Sequence, residues 1–349
     1  MVTHQRPEPL VTRPTVSVVV PCYNYGHYLR GCVGTILDQH DVDLDVLIID
    51  DASPDGSVAV AHELAAADPR VRVIAHEVNK RHIATYNEGL AAAKGDYVVL
   101  LSADDLLAPG ALGRATALME RNPDVGLVYG YSPLFDDVPP TARTSVRSWS
   151  VWSGPHWLDL VSRRGRNPVA TPEVVMRTHL VQQLGGYDAR LPHSADFFMW
   201  LQAAAHGSIG RVNGADQAFY RVHGANMHRS EAFAGALKDI SERERAFALF
   251  FDEDGAHVAG REAMLAAARL AMAEELLRHA ADAGRGDAEA ARPLVDLALR
   301  MSPHVRDTRA WARLQRGPAD GPVGKVGTLA DTLADKVRWR RFRRDGLFR

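Results

Sequence analysis

Cysteine, charge imbalance and long apolar runs are all scarce in this sequence of 349 residues, and each shortage excludes a class of protein. Only Cys22 and Cys32 are present, with no CxxC or Cys/His spacing, which excludes a disulfide scaffold and a structural zinc site. The formal net charge of −2 argues against a general nucleic-acid binder. No apolar stretch approaches the roughly 20 residues of a membrane span, and residues 1–14 lack the apolar core of a secretory signal. We therefore expect a cytoplasmic protein with reduced thiols.

Three common catalytic or nucleotide-binding motifs are missing as well. No GxGxxG follows the first apolar run, where Pro21-Cys22-Tyr23-Asn24 stands instead, so a dinucleotide-binding Rossmann domain loses its main support. Neither GxxxxGK[ST] nor GxSxG occurs, which removes the signatures of P-loop NTPases and α/β-hydrolases. Hydrophobic residues make up 46% of the chain and charged residues 24%, which indicates globular domains rather than disorder.

Short apolar runs alternate with amphipathic stretches over the first 130 residues. The runs that predict strands are 16–20, 45–49, 71–74, 97–101 and 125–129. The stretches that predict helices are 25–38, 57–67, 82–94 with Gly95 as C-cap, and one that Pro109 opens. Because strands that alternate with helices form parallel sheets, we expect an α/β fold with a mixed, mainly parallel sheet and helices on both faces.

Polar clusters follow three of these strands, at 21–24, 50–56 and 102–105. In such sheets ligands bind beyond the carboxyl ends of the strands. The three clusters are therefore expected to meet at one ligand-binding edge.

The second half of the chain is less regular. Residues 131–170 read as irregular and loop-rich, 172–177 as a strand, 194–206 as a helix with Ser194 as N-cap, and 217–222 as a strand. Alanine-rich helices run from about 230 to 300. The predicted organisation is a polar tail over 1–14, an α/β domain over 15–228, a helical region over 229–335 and a basic, aromatic tail over 336–349.

Two pairs of carboxylates stand at the expected edge. Adjacent Asp104 and Asp105 suit a hard divalent cation, Mn²⁺ or Mg²⁺, shared with phosphates, although a turn cap beside a solvated aspartate explains the pair equally well. Asp50 and Asp51 could bind a base or a ribose, and ordinary turn chemistry is the alternative. A receiver-domain phosphoacceptor is a third reading, which the length of the chain disfavours.

Three other features carry candidate chemistry. Asp196, at a predicted helix start, is either favoured there by the helix dipole alone or a general base that accepts a proton from a hydroxyl. His223 could bind a metal or a phosphate, although most lone histidines do neither. Lys80, Arg81 and His82 form a basic cluster that faces either a diphosphate or only solvent.

Eight short motifs also occur in a specific order and spacing. They are 18–24 (VVVPCYN), 48–57 (IIDDASPDGS), 87–90 (NEGL), 95–97 (GDY), 101–105 (LSADD), 185–188 (GGYD), 194–196 (SAD) and 220–223 (YRVH). Together they resemble the family 2 glycosyltransferases of the GT-A fold, over about residues 16–226. The resemblance implies an inverting transferase that takes a nucleotide-diphosphate sugar (UDP-, dTDP- or GDP-linked) and an unidentified hydroxyl acceptor, with Mn²⁺ or Mg²⁺ as cofactor.

The same resemblance implies roles for individual residues. Asp104 matches the metal-binding aspartate of the DxD motif, His223 matches a position that approaches the metal or diphosphate in some relatives, and Asp196 matches the catalytic base. With the basic cluster included, the predicted nucleotide-binding residues are Pro21, Tyr23, Asn24, Asp51, Arg81, Ser102 and Asp104. Residues 15–130 would be the nucleotide-binding half and 131–228 the acceptor-side half.

Two positions depart from the family pattern. Ser102 stands where the first aspartate of DxD is usual, and Ala195 replaces the acidic residue that commonly precedes the base. These departures keep a non-catalytic nucleotide-sugar-binding scaffold open as an alternative. A sugar-1-phosphate nucleotidyltransferase is a weaker one, because the first strand is not followed by a glycine-rich basic loop.

The C-terminal part carries less specific signals. Its alanine-rich helices could form a homodimer contact, cover the acceptor site or complete a core. Residues 336–349 are basic with interleaved aromatics, a pattern typical of a peripheral membrane contact at the inner membrane face and equally of a solvated tail.

Overall fold

A nine-stranded sheet forms the framework of the α/β part of the chain. The computed structural model describes residues 1–224, 232–283 and 288–316. In spatial order the strands are β1 (Val2–Gln5), β9 (Ser148–Trp152), β11 (Ser208–Asn213), β7 (Val125–Tyr129), β10 (Val175–Arg177), β5 (Tyr97–Leu100), β2 (Thr15–Cys22), β3 (Asp43–Asp50) and β4 (Val71–Ala75). Strands β9 and β10 run opposite to the others, so the sheet is mixed and mostly parallel, as the sequence predicts.

A small second sheet and a set of helices complete the described chain. The small sheet has the order β6 (Leu106–Leu107), β12 (Ala218–Arg221) and β8 (Leu134–Phe135). The helices that connect the strands are α1 (Gly26–Leu37), α2 (Ser57–Ala67), α3 (His82–Ala91), α4 (Ala111–Arg121), α5 (Gly154–Ser162), α6 (Thr178–Leu184) and α7 (Ala195–His206). Beyond them lie α8 (Ala232–Asp252), α9 (Arg261–Ala283), α10 (Ala288–Met301) and α11 (Arg309–Arg316).

The valines of β2 show how the sheet is covered on both faces. Val18 and Val20 are fully buried in a core that includes Leu29 and Val33 of α1. Val19 points the other way, toward α3, where a Cβ on Gly89 would lie 2.3 Å from its side chain. A strand buried on both faces reads as a continuous apolar run, which is why the sequence identifies it.

The described residues form two compact units. The first comprises residues 1–156 with 169–224, and the second comprises 157–168 with the described residues beyond 224. Within the second unit Glu275 of α9 is buried and accepts hydrogen bonds from Arg243 of α8 and from Arg166 of the 157–168 segment. Ionic hydrogen bonds therefore join that segment to α8 and α9.

Several predicted elements are confirmed, and some boundaries are wrong. Helix α2 and strand β7 have the predicted bounds, and Ser194 is the N-cap of α7. Helix α3 ends at Ala91 rather than at residue 94, and Gly95 is not its C-cap. Glycine is required there for another reason, since a Cβ at Gly95 would lie 2.6 Å from the backbone nitrogen of Ser17.

Other differences reflect pairing that local patterns do not reveal. Residues 131–170, predicted to be irregular, contain β8, β9 and α5. Residues 172–177 divide into a 3₁₀ turn (Thr171–Glu173) and β10, and α4 begins at Ala111 after the left-handed Gly110 rather than at Pro109. Part of residues 1–14 pairs with β9 as the edge strand β1. Residues 336–349 lie outside the described residues, within which no helix has the length and hydropathy needed to cross a membrane.

Candidate active site

Parallel pairing brings three polar clusters to one edge of the large sheet. Strand β2 lies between β3 and β5, with Cys22 opposite Asp50 in the register. Beyond the strands, the backbone N–H of Asp51 donates to the carbonyl of Cys22 (2.9 Å), and that of Ala103 donates to the carbonyl of Pro21 (3.3 Å). The segments that follow β2, β3 and β5 therefore begin side by side.

The loop after β2 contains an exposed tyrosine ring and a side-chain amide oxygen without a hydrogen-bond partner. Tyr23 is 46% exposed. Asn24 adopts a left-handed φ of 60°, and its backbone N–H donates to the Ser53 hydroxyl at 3.0 Å. Among the described residues, Asn24 Oδ1 and Asp50 Oδ2 are buried without a hydrogen-bond partner. Such atoms cost free energy unless a ligand or water satisfies them, and these two lie at the edge where the polar segments meet.

Asp51 is buried and held by three groups from the segment after β4. Its Oδ1 accepts hydrogen bonds from the ring of His76 (2.8 Å) and from the backbone N–H of Lys80 (2.7 Å). Its backbone carbonyl accepts one from the amide of Asn79 (3.0 Å). Burial acts to raise the pKa of Asp51, but the hydrogen bonds from His76 and Lys80 outweigh it, so the pKa lies below its ordinary value.

The basic cluster 80–82 divides into three different environments. Lys80 Nζ donates to Glu88 of α3 at 2.8 Å, and the ring of His82 is hydrogen-bonded to the carbonyl of Pro192 at 3.0 Å. Arg81 is exposed, with φ 68° and ψ 158°. Lys80 and Arg81 are both exposed, and the Lys80 ammonium is paired with Glu88.

Non-glycine residues with an unfavourable backbone conformation lie at this edge of the sheet. Within the described chain, the non-glycine residues with positive φ are Asn24, Ala52 and Arg81, which lie after β2, after β3 and before α3. Each such residue costs of the order of 1–3 kcal/mol, and residues of this kind concentrate at functional sites.

Asp104 is paired with His223. The two side chains are 7% and 14% exposed, and His223 Nε2 lies 2.9 Å from Asp104 Oδ2. The imidazole also lies against the rings of Tyr25 and Tyr28, at centroid distances of 5.5 and 5.6 Å. The sequence named both members of the pair, and the fold brings them together although 119 positions separate them.

Arg221 fixes the backbone around this pair. Its guanidinium carbon lies 4.4 Å from the ring centroid of Tyr28 and 4.3 Å from that of Phe135. Its Nε donates to the carbonyl of Asp104, and its backbone N–H donates to Asp105 Oδ1, both at 2.9 Å. Burial and the neighbouring Asp104 raise the pKa of Asp105 well above its ordinary value, and Arg221 opposes that rise.

Asp196 belongs to the same electrostatic region. It lies in the first turn of α7, and its carboxylate accepts hydrogen bonds from the backbone N–H of Phe197 (2.6 Å) and the hydroxyl of Thr171 (3.4 Å). Burial, followed by the charges of Asp105, Asp104 and Asp196, raises the pKa of Tyr220. The pKa of the Tyr220 hydroxyl is therefore raised both by the carboxylates that follow β5 and by the carboxylate on α7.

Ser102, at the departure from DxD, lies near an aromatic residue. Burial raises the pKa of Tyr86, and the side chain of Ser102 acts in the opposite direction. The Tyr86 ring meets that of Tyr187 at 5.9 Å. The sequence analysis assigned no role to Tyr86 or His76 and named Glu88 only within the 87–90 motif, because a single aromatic or titratable residue carries no distinguishing pattern.

A divalent cation fits the pair of Asp104 and His223 only as part of a shared site. Within the described ranges, no group of three or more His, Cys, Asp or Glu side chains is arranged to hold a metal ion. One carboxylate and one imidazole leave most positions of Mg²⁺ or Mn²⁺ to phosphate oxygens and water, which is how Mg²⁺ is commonly bound beside substrate phosphates.

Comparisons with known proteins indicate a glycosyltransferase. A protein of Haemophilus influenzae named as an uncharacterized glycosyltransferase is 23% identical over 215 residues, which cover 60% of this chain and 66% of that relative. Two solved structures share the fold. The mannosyltransferase PcManGT from Pyrobaculum calidifontis, in complex with GDP-Man and Mn²⁺, has a TM-score of 0.57 at 18% identity and covers 97% of this chain and 85% of its own. S. aureus TarS 1–349 in complex with UDP-GlcNAc has a TM-score of 0.51 at 14% identity, with coverages of 84% and 92%.

The family model described as glycosyl transferase family 2 matches residues 17–176, which include β2 to β5 and the edge that carries Asn24, Asp51 and Asp104. A glycosyltransferase family 2 segment therefore spans residues 17–176, and the chain has the GT-A fold of the solved glycosyltransferases that it resembles.

Proposed function

We propose that this protein transfers a sugar, with inversion, from a nucleotide-diphosphate sugar to an acceptor hydroxyl, with a divalent cation and Asp196 as general base. The observation that carries the proposal is the shared edge of β2, β3 and β5, where buried Asp51 and the pair of Asp104 and His223 follow neighbouring strands. The family 2 segment and the fold support the reaction class.

The donor is proposed to be a sugar linked to UDP, GDP or dTDP. The two solved structures that share this fold hold GDP-Man and UDP-GlcNAc, which supports a nucleotide-diphosphate sugar here. We assign the base and ribose to the segment of Pro21, Tyr23 and Asn24 together with Asp51. An exposed tyrosine ring can stack on a base, and an ionised carboxylate can accept hydrogen bonds from base or ribose.

The diphosphate is assigned to the other side of the same edge. Asp104 and His223 would hold Mn²⁺ or Mg²⁺ between the protein and the phosphates. When bound, the cation supplies Lewis-acid stabilisation of the charge that develops on the departing diphosphate. Ser102 and exposed Arg81 would contribute a hydroxyl and a guanidinium, which suit phosphate oxygens.

The acceptor hydroxyl is assigned to Asp196. The acceptor oxygen forms a bond to the anomeric carbon, while the bond from that carbon to the diphosphate oxygen breaks and its electron pair leaves with the diphosphate. The hydroxyl proton passes to the carboxylate of Asp196, which Thr171 and the N–H of Phe197 orient. Such proton transfer contributes about 10²–10⁴-fold to a rate.

Several parts of this proposal rest on sequence alone. The division into a nucleotide-binding half (15–130) and an acceptor-side half (131–228), the cytoplasmic location and a homodimer stay predictions. So does the membrane contact of residues 336–349, which fall outside the described residues.

A panel of nucleotide sugars tests the proposal. We expect one donor class to bind and to release its nucleoside diphosphate slowly in Mn²⁺ or Mg²⁺ but not in EDTA. Binding with no release, even when candidate acceptors are added, would favour the scaffold alternative. Release of pyrophosphate, with formation of a nucleotide-diphosphate sugar, when a nucleoside triphosphate and a sugar 1-phosphate are supplied would indicate a nucleotidyltransferase.

A further inference from the structure

The ring of His76 is enclosed by two carboxylates at the donor edge. The side chain is 3% exposed. Its Nδ1 lies 2.8 Å from Asp51 Oδ1, and its Nε2 lies 3.1 Å from Glu88 Oε2. The ring thus connects Glu88 of α3 to Asp51 at the donor edge.

The protons of this array follow from donor and acceptor chemistry. An ionised carboxylate only accepts hydrogen bonds, so each ring nitrogen that faces one must carry a hydrogen. Both carboxylates are stabilised in the ionised form. A hydrogen bond from Lys80 is the main reason why the pKa of Glu88 lies below its ordinary value, and the bonds to Asp51 outweigh its burial.

We propose that His76 is a doubly protonated positioning residue, which holds Asp51 as an ionised, correctly directed acceptor for the donor nucleobase. The inference rests on the proposed function, in which Asp51 binds the base. An acceptor-only carboxylate favours a base that offers an N–H to it, and it disfavours a base that presents a lone pair.

Lys80 closes the array from the remaining side. Its backbone N–H donates to Asp51 Oδ1 (2.7 Å), and its Nζ donates to Glu88 Oε2 (2.8 Å). The charged groups that face the ring or its two partners are therefore Asp51 after β3, Glu88 on α3 and Lys80 before α3. Two cations and two carboxylates leave the array neutral, so the buried side chains of His76 and Asp51 face no unpaired charge within it.

Titration calorimetry with UDP and GDP in Mn²⁺ tests the effect on the donor. Loss of a hydrogen bond between ions corresponds to a rise of about 10- to 100-fold in Kd, which we expect for His76→Gln. Glu88→Gln should weaken binding in the same direction although Glu88 is remote from the base. Because Glu88 acts through the ring, its substitution should have no further effect in the His76→Gln background. His179→Gln, at an exposed position on α6, is the matched control and should bind as the wild type.

The ring itself can be observed without a nucleotide. In histidine labelled with ¹⁵N, the wild-type signal that His76→Gln removes should show both nitrogens bonded to hydrogen at neutral pH. A singly protonated ring would overturn the proposal. If His76→Gln failed to fold, Glu88→Gln, whose side chain is 34% exposed, would carry the binding test.

Different results would refute the positioning role of His76 and the proposed function. Wild-type affinity for UDP or GDP in both variants would refute the role of His76 and leave the proposed function standing. If the wild type bound neither nucleotide, nor any other nucleoside diphosphate, the proposed function would fall, and the positioning role with it.

Discussion

Arg81 combines a strained backbone with a side chain that we assign to the donor, and the two effects can be separated by substitution. Its φ of 68° and ψ of 158° lie in a region that is populated almost entirely by glycine. Strain of this kind costs about 1–3 kcal/mol. Glycine removes the strain but adds about 0.4–1 kcal/mol of unfolded-state entropy, so Arg81→Gly should raise the free energy of unfolding by about 0.5–2 kcal/mol.

Arg81→Ala is the matched variant, because alanine removes the guanidinium but keeps the Cβ that causes the strain. We expect it to be about as stable as the wild type, since an exposed side chain contributes little to the free energy of unfolding. Urea denaturation of the wild type and the two variants gives a midpoint for each protein, and the midpoints can be compared directly if the m-values are equal. The strain argument is wrong if Arg81→Gly is no more stable than Arg81→Ala.

The same two variants test the side chain. Both lose the guanidinium, so both should bind UDP or GDP in Mn²⁺ more weakly than the wild type and equally so. If the two variants bind the nucleotide equally weakly but differ in their free energy of unfolding, the strained backbone is tolerated because the arginine side chain is useful at this position. Unchanged affinity in both variants would remove Arg81 from the donor site.

Four further outcomes are expected. Asp196→Asn should lower the transfer rate about 10²–10⁴-fold with little change in donor affinity, and full activity would exclude it as the base. Asp104→Asn should abolish the difference in donor affinity between Mn²⁺ and EDTA, measured by calorimetry. Gly95→Ala should lower the free energy of unfolding by about 1–3 kcal/mol, because its Cβ would lie 2.6 Å from the backbone of β2. Burial acts to raise the pKa of Asp45, but hydrogen bonds, chiefly from Arg72, lower that pKa below its ordinary value. The ionised carboxylate therefore contributes its full stabilisation above about pH 4, and this stabilisation is lost as the pH falls through the pKa of the folded state. Asp45→Asn should reduce the loss of stability at acid pH, measured by urea denaturation at a series of pH values.

The strands beside the donor edge could be predicted because their patterns are local. Residues 16–20 and 45–49 are uninterrupted apolar runs, and each is followed by polar turn residues that mark where the strand ends. Parallel pairing then aligns those ends, so the position of Asp51 and Asp104 at one edge follows from the sequence.

The second half of the chain resisted prediction for a physical reason. Strand β9 pairs in antiparallel orientation with β1 and β11. Both partners lie far from β9 in sequence, so the pairing leaves no periodic pattern in the residues around it. The hydrogen bonds of His76 and Arg221 could not be predicted either, because each joins residues that are brought together only when the sheet has formed.

The segment 157–168 has a consequence for the order in which the protein is made. Arg166 lies 109 positions before Glu275, its partner in the helical unit. At about 5–20 residues per second, a ribosome needs roughly 5–20 s to synthesise the chain between them. During that interval the segment has left the ribosome without the helices that receive it, and a chain shortened near residue 228 would never supply them. The helical unit is thus the last part of the molecule to become complete, and deletion from the C-terminus would divide it rather than remove it.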